Sequence, residues 1–79
     1  MKIYIVWFDD MILKIFKNYN NAVEFATEEI LQTGKGREFF GNGRWYSDFD
    51  RYTEAISSAF DENEYFNDYF IEEQNIADM

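Results

Sequence analysis

The chain contains no cysteine and no histidine. It therefore has neither disulfides nor the ligands of an ordinary structural zinc site, and packing alone must stabilise it. The same absences remove the thiolate nucleophile and the usual general base near neutral pH, on which most hydrolase, transferase and redox mechanisms depend. A pair of carboxylates remains as a catalytic option, but so short a chain has little room for the cleft that a sugar would need. We predict a non-catalytic protein with no cofactor.

Long apolar runs are also missing. The apolar stretch of the N-terminus ends at Asp9 and Asp10 without a small-residue cleavage site, which argues against a signal peptide. No segment approaches the roughly 20 apolar residues that cross a bilayer. A chain of 79 residues makes about one small domain. The sequence therefore predicts a single domain over residues 1–79, soluble and cytoplasmic, with no membrane contact.

Basic residues are scarce, above all in the second half. The chain has 7 Lys and Arg against 16 Asp and Glu, a net charge of −9. Residues 1–40 contribute −1 of this charge, and residues 41–79 contribute −8. Such a surface disfavours direct binding of nucleic acid or of an anionic membrane, and it favours a basic protein partner.

Aromatic residues are plentiful, at 22% of the chain, and several fall in strand-like runs. Lys2 to Phe8 and Met11 to Lys17 predict a β-hairpin that turns at Asp9-Asp10. In the first strand, one face carries Ile3, Ile5 and Trp7, and the other carries Tyr4, Val6 and Phe8. Since both faces are apolar, this strand is expected to be central or to have something packed on its second face.

The rest of the chain predicts helices and a second hairpin. Asn18 is a suitable N-cap for an amphipathic helix that ends at Gly34. Residues 37–46 form a short hairpin around Gly41-Asn42-Gly43. Ser47-Asp48 resembles a capping sequence for the next helix. The apolar stripes of the two helices are Tyr19, Ala22, Val23, Ala26 and Ile30, then Phe49, Tyr52, Ala55, Ile56, Ala59 and Phe60.

Residues 62–76 are ambiguous between helix and strand. As a helix they bring Tyr65, Phe66, Tyr69, Phe70 and Ile76 to one face, whereas as a strand from Tyr69 to Ile76 neither face alternates cleanly. We favour the helix and keep the strand as the alternative. The predicted fold is α+β, of order ββα-ββα-α, with a small antiparallel sheet from two hairpins and two or three packed helices.

Two weaker motifs have simple structural explanations. The glycine-rich segment with Lys35, Arg37 and Arg44 could cradle a phosphate, but it lacks the P-loop spacing, and a hairpin with solvated bases is the preferred interpretation. The acidic run from Asp61 to Glu64 lacks the glycine of an EF-hand loop, so no dedicated metal site is predicted.

The carboxylates of the C-terminal half fall into two rows. Asp50, Glu54 and Asp61 share one side of the predicted second helix, and Glu64, Asp68 and Glu72 would share one side of a third. Residues four apart on a helix lie about 6 Å apart along its axis, a spacing comparable with that of successive phosphates. Tyr65 and Tyr69 interleave the second row, and aromatic residues are frequent at interface hot spots. These eight residues form the predicted partner-binding face, unless the carboxylates serve solubility alone.

These features resemble small phage-encoded anti-defence proteins, namely acidic anti-CRISPR inhibitors and other DNA mimics. The likeness covers residues 37–76, with a hairpin running into a helix over Arg37 to Phe60 and an acidic tail over Asp61 to Asp68. It implies a stoichiometric inhibitor, acting in the host cytoplasm, that occupies the nucleic-acid groove of a basic host protein such as a CRISPR effector or a restriction-type nuclease. The carboxylates would then stand in for phosphates.

A different class of function remains open. The chain could be a small protein-protein interaction or assembly module in which the doubly apolar first hairpin pairs with a second copy to form a homodimer. In that case the acidic residues provide solubility only.

Overall fold

The computed structural model describes residues 1–33 and 39–77. The α+β class is confirmed, with two helices and small antiparallel sheets. Along the chain the elements are β1 (Lys2–Phe8), β2 (Met11–Phe16), α1 (Tyr19–Thr33), β3 (Phe39–Gly41), β4 (Arg44–Tyr46), α2 (Phe49–Asp61) and β5 (Tyr69–Asn75). Gly34, which was predicted to end the first helix, lies outside the described residues.

The prediction of a third helix was wrong, because the last element is the strand β5. This strand pairs antiparallel with β1, and Val6 lies opposite Ile71. Asn67 and Asp68 have positive φ angles of 48° and 69°, a left-handed conformation that a helix cannot contain. Of the apolar residues that favoured a helix, Phe66 is buried from the turn and Tyr69 from the strand, whereas Tyr65 and Ile76 are exposed.

The prediction that β1 is central was correct, since the larger sheet has the order β2-β1-β5. The prediction that both hairpins share one sheet was wrong, because β3 and β4 form a separate two-stranded sheet. This second sheet packs on α2, where the ring centroids of Phe39 and Tyr46 each lie 5.4 Å from that of Tyr52. Three-residue strands of this kind depend on such packing for their stability.

Helix α1 covers one side of the larger sheet. Its side chains Ala22, Ala26 and Ile30 are fully buried in the same cluster as Val6, as the predicted stripe requires. The small alanines allow the helix backbone to approach the sheet closely. The Asn18 side chain accepts a hydrogen bond of 3.2 Å from the Asn21 N–H, which confirms the predicted N-cap.

Helix α2 joins the two sheets. Its N-cap is Asp48, whose carboxylate accepts a hydrogen bond of 2.7 Å from the Arg51 N–H, and not the neighbouring serine. Tyr52, Ile56, Ala59 and Phe60 form its buried face. Phe49, included in the predicted stripe, is instead 51% exposed.

The segment between α2 and β5 is held by buried aromatic packing and by paired amides. Phe66 is 1% exposed and lies edge-on to Tyr52 at 5.7 Å. Asn42 and Asn67 exchange hydrogen bonds: each backbone N–H donates to the other residue's side-chain oxygen, at 2.9 and 2.7 Å. These bonds fix the β3–β4 turn against the approach to β5. Neither α1 nor α2, the helices of the described segments, has the length and apolar character to cross a membrane.

Candidate binding surfaces

The first predicted carboxylate row lies together on α2. Asp50, Glu54 and Asp61 are all exposed, and their spacing puts them on one side of this helix, away from its buried face. The only base between them in sequence is Arg51, which lies 3.8 Å from Asp48 at the start of the helix. The row therefore presents negative charge to solvent along most of the helix. We call it the α2 row.

Asp61 also has a structural partner. The Tyr19 hydroxyl donates a hydrogen bond of 2.6 Å to its carboxylate, which joins the start of α1 to the end of α2. Burial raises the pKa of Tyr19, and the hydrogen bond to Asp61 raises it further. The tyrosine thus remains a protonated donor, and part of the Asp61 carboxylate is already engaged within the fold.

The second predicted row does not form. Glu64 and Asp68 are exposed in the irregular segment before β5, whereas Glu72 lies on β5 itself. Without a third helix, their four-residue spacing no longer places them on one face. Tyr69 is only 5% exposed, with its ring centroid 4.7 Å from that of Phe8, so it belongs to the core and not to a contact surface.

The larger sheet has a second side, opposite α1, which we call the outer face. The register shows which residues share it: Ile5 lies opposite Ile15 and Glu72, and Trp7 lies opposite Ile12 and Phe70. Together with Ile3, these side chains form an apolar layer around the buried Ile5, and this layer contains one carboxylate. Ile12 and Ile15 are 48% and 52% exposed. Both described helices lie on the opposite side: α1 contacts all three strands of this sheet, and the buried face of α2 joins the core cluster of Val6 and Ile71.

A β-bulge brings the two exposed isoleucines to the same side. The register of β1 and β2 shifts between Val6 and Trp7, so that β2 carries one extra residue there. Leu13 and Lys14 occupy the bulge, and Leu13 packs toward the core. Ile12 and Ile15, three residues apart, therefore both face outward. Without the bulge, alternation along the strand would place them on opposite sides.

Glu72 is held in place on the outer face. Its two carboxylate oxygens accept hydrogen bonds from the Trp7 indole N–H, at 2.9 Å, and from the Gln74 amide, at 3.0 Å. The bonds from Gln74 and Trp7 lower the pKa of Glu72. The outer face thus keeps a negative charge, in a fixed orientation, at neutral pH.

The indole bond predicts a measurable shift on substitution. In Trp7→Phe we expect the pKa of Glu72 to rise toward its ordinary value, because one donor to the carboxylate is lost. A side-chain carboxyl titration followed by NMR would measure this, and an unchanged pKa would show that the indole bond is not formed in solution. Because the folded-state pKa is lowered, the contribution of Glu72 to stability is present above its ordinary pKa of about 4.3 and is lost as the pH falls through the folded-state value.

Tyr65, the other aromatic residue of the predicted partner-binding face, is exposed. It is 59% exposed and stacks on Phe70, with ring centroids 4.6 Å apart and an interplanar angle of 24°. Since Phe70 lies on the outer face, this stack extends that face beyond the edge of β5.

The structure describes only part of the glycine-rich segment for which a phosphate site was considered. Lys35 and Arg37 lie outside the described residues, and Arg44 is exposed on β4. In the part of the chain that the structure describes, no group of three or more acidic side chains is arranged to hold a metal ion.

Sequence reasoning identified the α2 row, but it gave Trp7, Ile12 and Ile15 a role only as part of a first hairpin that could pair with a second copy, and it gave Phe70 none. The apolar character of both faces of the first strand was the available signal. It indicated a central strand, yet it could not show that one side lacks a covering helix. Comparison with known protein families, with curated proteins and with solved structures gives no match for this chain. Its function must therefore be argued from these two surfaces.

Proposed function

We propose that this chain is a non-catalytic protein-binding module whose binding surface is the outer face of the larger sheet. One observation carries the proposal: Ile12 and Ile15 are half-exposed beside Trp7 on a sheet face over which no described helix lies. Contiguous apolar surface with a polar rim is typical of interaction sites. A helix or strand of a partner would complete this face much as α1 completes the other one.

The composition of the outer face suits protein recognition. Trp7 and Tyr65 provide the large rings that dominate interface energetics, and the isoleucines provide apolar area around them. Glu72 adds one oriented carboxylate, which restricts the partner to groups that can donate to it or neutralise it. With a net charge of −9 on the chain, a partner with basic residues is favoured.

The α2 row supports a second candidate, charge mimicry. Asp50 and Glu54 are exposed on one side of a helix with a single base between them, which is the pattern expected of an inhibitor that replaces nucleic acid on a basic host protein. The loss of the second row shortens this acidic face. For this reason we rank mimicry below binding through the outer face.

Site-specific photo-crosslinking separates the two candidates. We expect p-benzoylphenylalanine in place of Ile15 to give a discrete cross-linked adduct in cells that express the protein. The same group in place of Glu24, exposed on the solvent side of α1, is the matched control and should give none. In place of Glu54 it reports on the α2 row. An adduct from position 54 alone, suppressed by duplex DNA in a lysate, would favour mimicry over binding through the outer face. Equal yields from positions 15 and 24 would contradict binding through the outer face.

A further inference from the structure

A cavity of about 360 Å³ opens on the outer face where β1 and β5 run side by side. It is lined by Trp7, Asp9, Tyr65, Phe70 and Glu72. Three aromatic rings and two carboxylates therefore surround one space, and no basic residue lines it. Neither the apolar surface of the isoleucines nor the α2 row has this combination.

Three separate parts of the chain build the cavity. Trp7 and Phe70 face each other across β1 and β5, and Tyr65 is held against Phe70 by their stacked rings. The Asp9 N–H donates a hydrogen bond of 2.8 Å to the Asp68 carbonyl oxygen. This bond ties the β1–β2 turn to the segment that carries Tyr65, so the walls of the cavity are fixed relative to each other.

The lining selects the charge of the ligand. Aromatic rings present a negative face, which attracts cations, and the carboxylates of Asp9 and Glu72 add to that attraction. An anion would be repelled, and a neutral apolar group would desolvate the carboxylates without compensation. Two carboxylates also provide too few oxygen ligands for a calcium ion, which takes six to eight. The complement is an organic cation with a flat or apolar body.

We infer that this cavity binds the guanidinium group of an arginine side chain supplied by the protein that docks on the outer face. The inference rests on the proposed function, because it assigns an anchor to the same surface. A guanidinium stacks on aromatic planes and donates to carboxylates in a fixed fork. Each oxygen of Glu72 accepts one hydrogen bond within the fold and retains a lone pair for a second.

Trp7 itself can report the binding. The chain has two tryptophans, and Trp45 is 66% exposed on β4, so Trp45→Phe leaves one indole without disturbing the core. In this background we expect N-acetyl-arginine methylamide to shift the Trp7 indole N–H resonance in a saturable way. The citrulline counterpart, in which a neutral urea replaces the guanidinium, is expected to bind at least about tenfold more weakly.

Substitutions locate the effect. Glu72→Gln and Tyr65→Ala should each weaken the arginine probe by about three- to tenfold. The matched control is Glu73→Gln: Glu73 lies opposite Tyr4 in the register, on the other side of the same strand, and pairs with Lys2 at 3.6 Å. It should leave the probe affinity unchanged.

Three results would overturn the assignment: no shift of the Trp7 resonance, equal shifts by arginine and citrulline, or equal effects of Glu72→Gln and Glu73→Gln. If any of these occurs while position 15 still cross-links, the outer face remains the binding surface and only the arginine anchor is lost. If position 15 gives no adduct, the proposed function itself fails, whatever the small probe does.

Discussion

Phe66→Ala is expected to lower the free energy of unfolding by about 3–5 kcal/mol, since it removes a buried ring and leaves a cavity that its neighbours cannot fill. Phe66 is 1% exposed and lies within 6.4 Å, between ring centroids, of both Tyr46 and Tyr52. It joins the small sheet, α2 and the start of β5. Urea denaturation followed by circular dichroism would measure the loss. For a small domain whose total stability is about 5 kcal/mol, such a loss approaches complete unfolding.

The control is Phe40→Ala, at the neighbouring strand β3. Phe40 is 47% exposed and pairs with the exposed Trp45 at 4.7 Å, so its removal should cost much less. Equal costs for the two substitutions would contradict the account of the core. If Phe66→Ala does not fold, Phe66→Leu provides the measurement, with an expected loss of about 1–2 kcal/mol.

Gly41 provides an independent check on the position of Phe66. A Cβ atom at residue 41 would lie 2.6 Å from two carbons of the Phe66 ring. Since the Phe66 ring is buried between Tyr46 and Tyr52, Gly41→Ala should be destabilising in the native chain and less so beside the smaller Phe66→Leu. Additive effects of the two changes would mean that residues 41 and 66 are not in contact.

The sequence predictions succeeded where the structure is determined by contacts between residues close together in the sequence. Asn18 caps α1, and the Ala22, Ala26 and Ile30 stripe is buried, because helices are specified by residues three and four apart. The α2 row could be predicted for the same reason. The central position of β1 in its sheet followed from its composition, which is apolar on both faces.

The errors concern contacts between distant parts of the chain. Phe66 and Tyr69 match a helical spacing, but Tyr69 and Ile71, two residues apart, are buried because β5 pairs with β1 at the other end of the sequence. The deciding local signal was the Asn67-Asp68 pair, which adopts left-handed turn conformations. The cavity at Trp7 was unpredictable while the last segment was taken as a helix, since it needs the register that places Phe70 beside Trp7.

The α2 row and the outer face differ in how much their side chains contribute to the folded structure. Asp61 of the α2 row is partly engaged by Tyr19, so this part of the row also has a structural role. On the outer face, Ile12 and Ile15 are half-exposed and lie outside the main core cluster. Substitution of these two isoleucines should therefore change binding without unfolding the protein, which makes them suitable for a decisive test.

The double variant Ile12→Lys, Ile15→Lys is expected to bind about 100-fold more weakly to the partner captured from position 15, because two apolar contacts of about 1–2 kcal/mol each are replaced by charges that must be desolvated. If the partner is a second copy of the chain, the same change should abolish self-association. Its urea midpoint should stay close to that of the native chain. The matched control is Glu24→Gln, Glu28→Gln, which alters the net charge by the same amount on the exposed side of α1.

The most direct test is the affinity of these two double variants for that partner, measured side by side by isothermal titration calorimetry or, for self-association, by sedimentation equilibrium. We predict a loss of about 100-fold for the isoleucine variant and a change of no more than about twofold for the glutamate variant. Equal affinities in the two variants would contradict the assignment of the outer face as the binding surface.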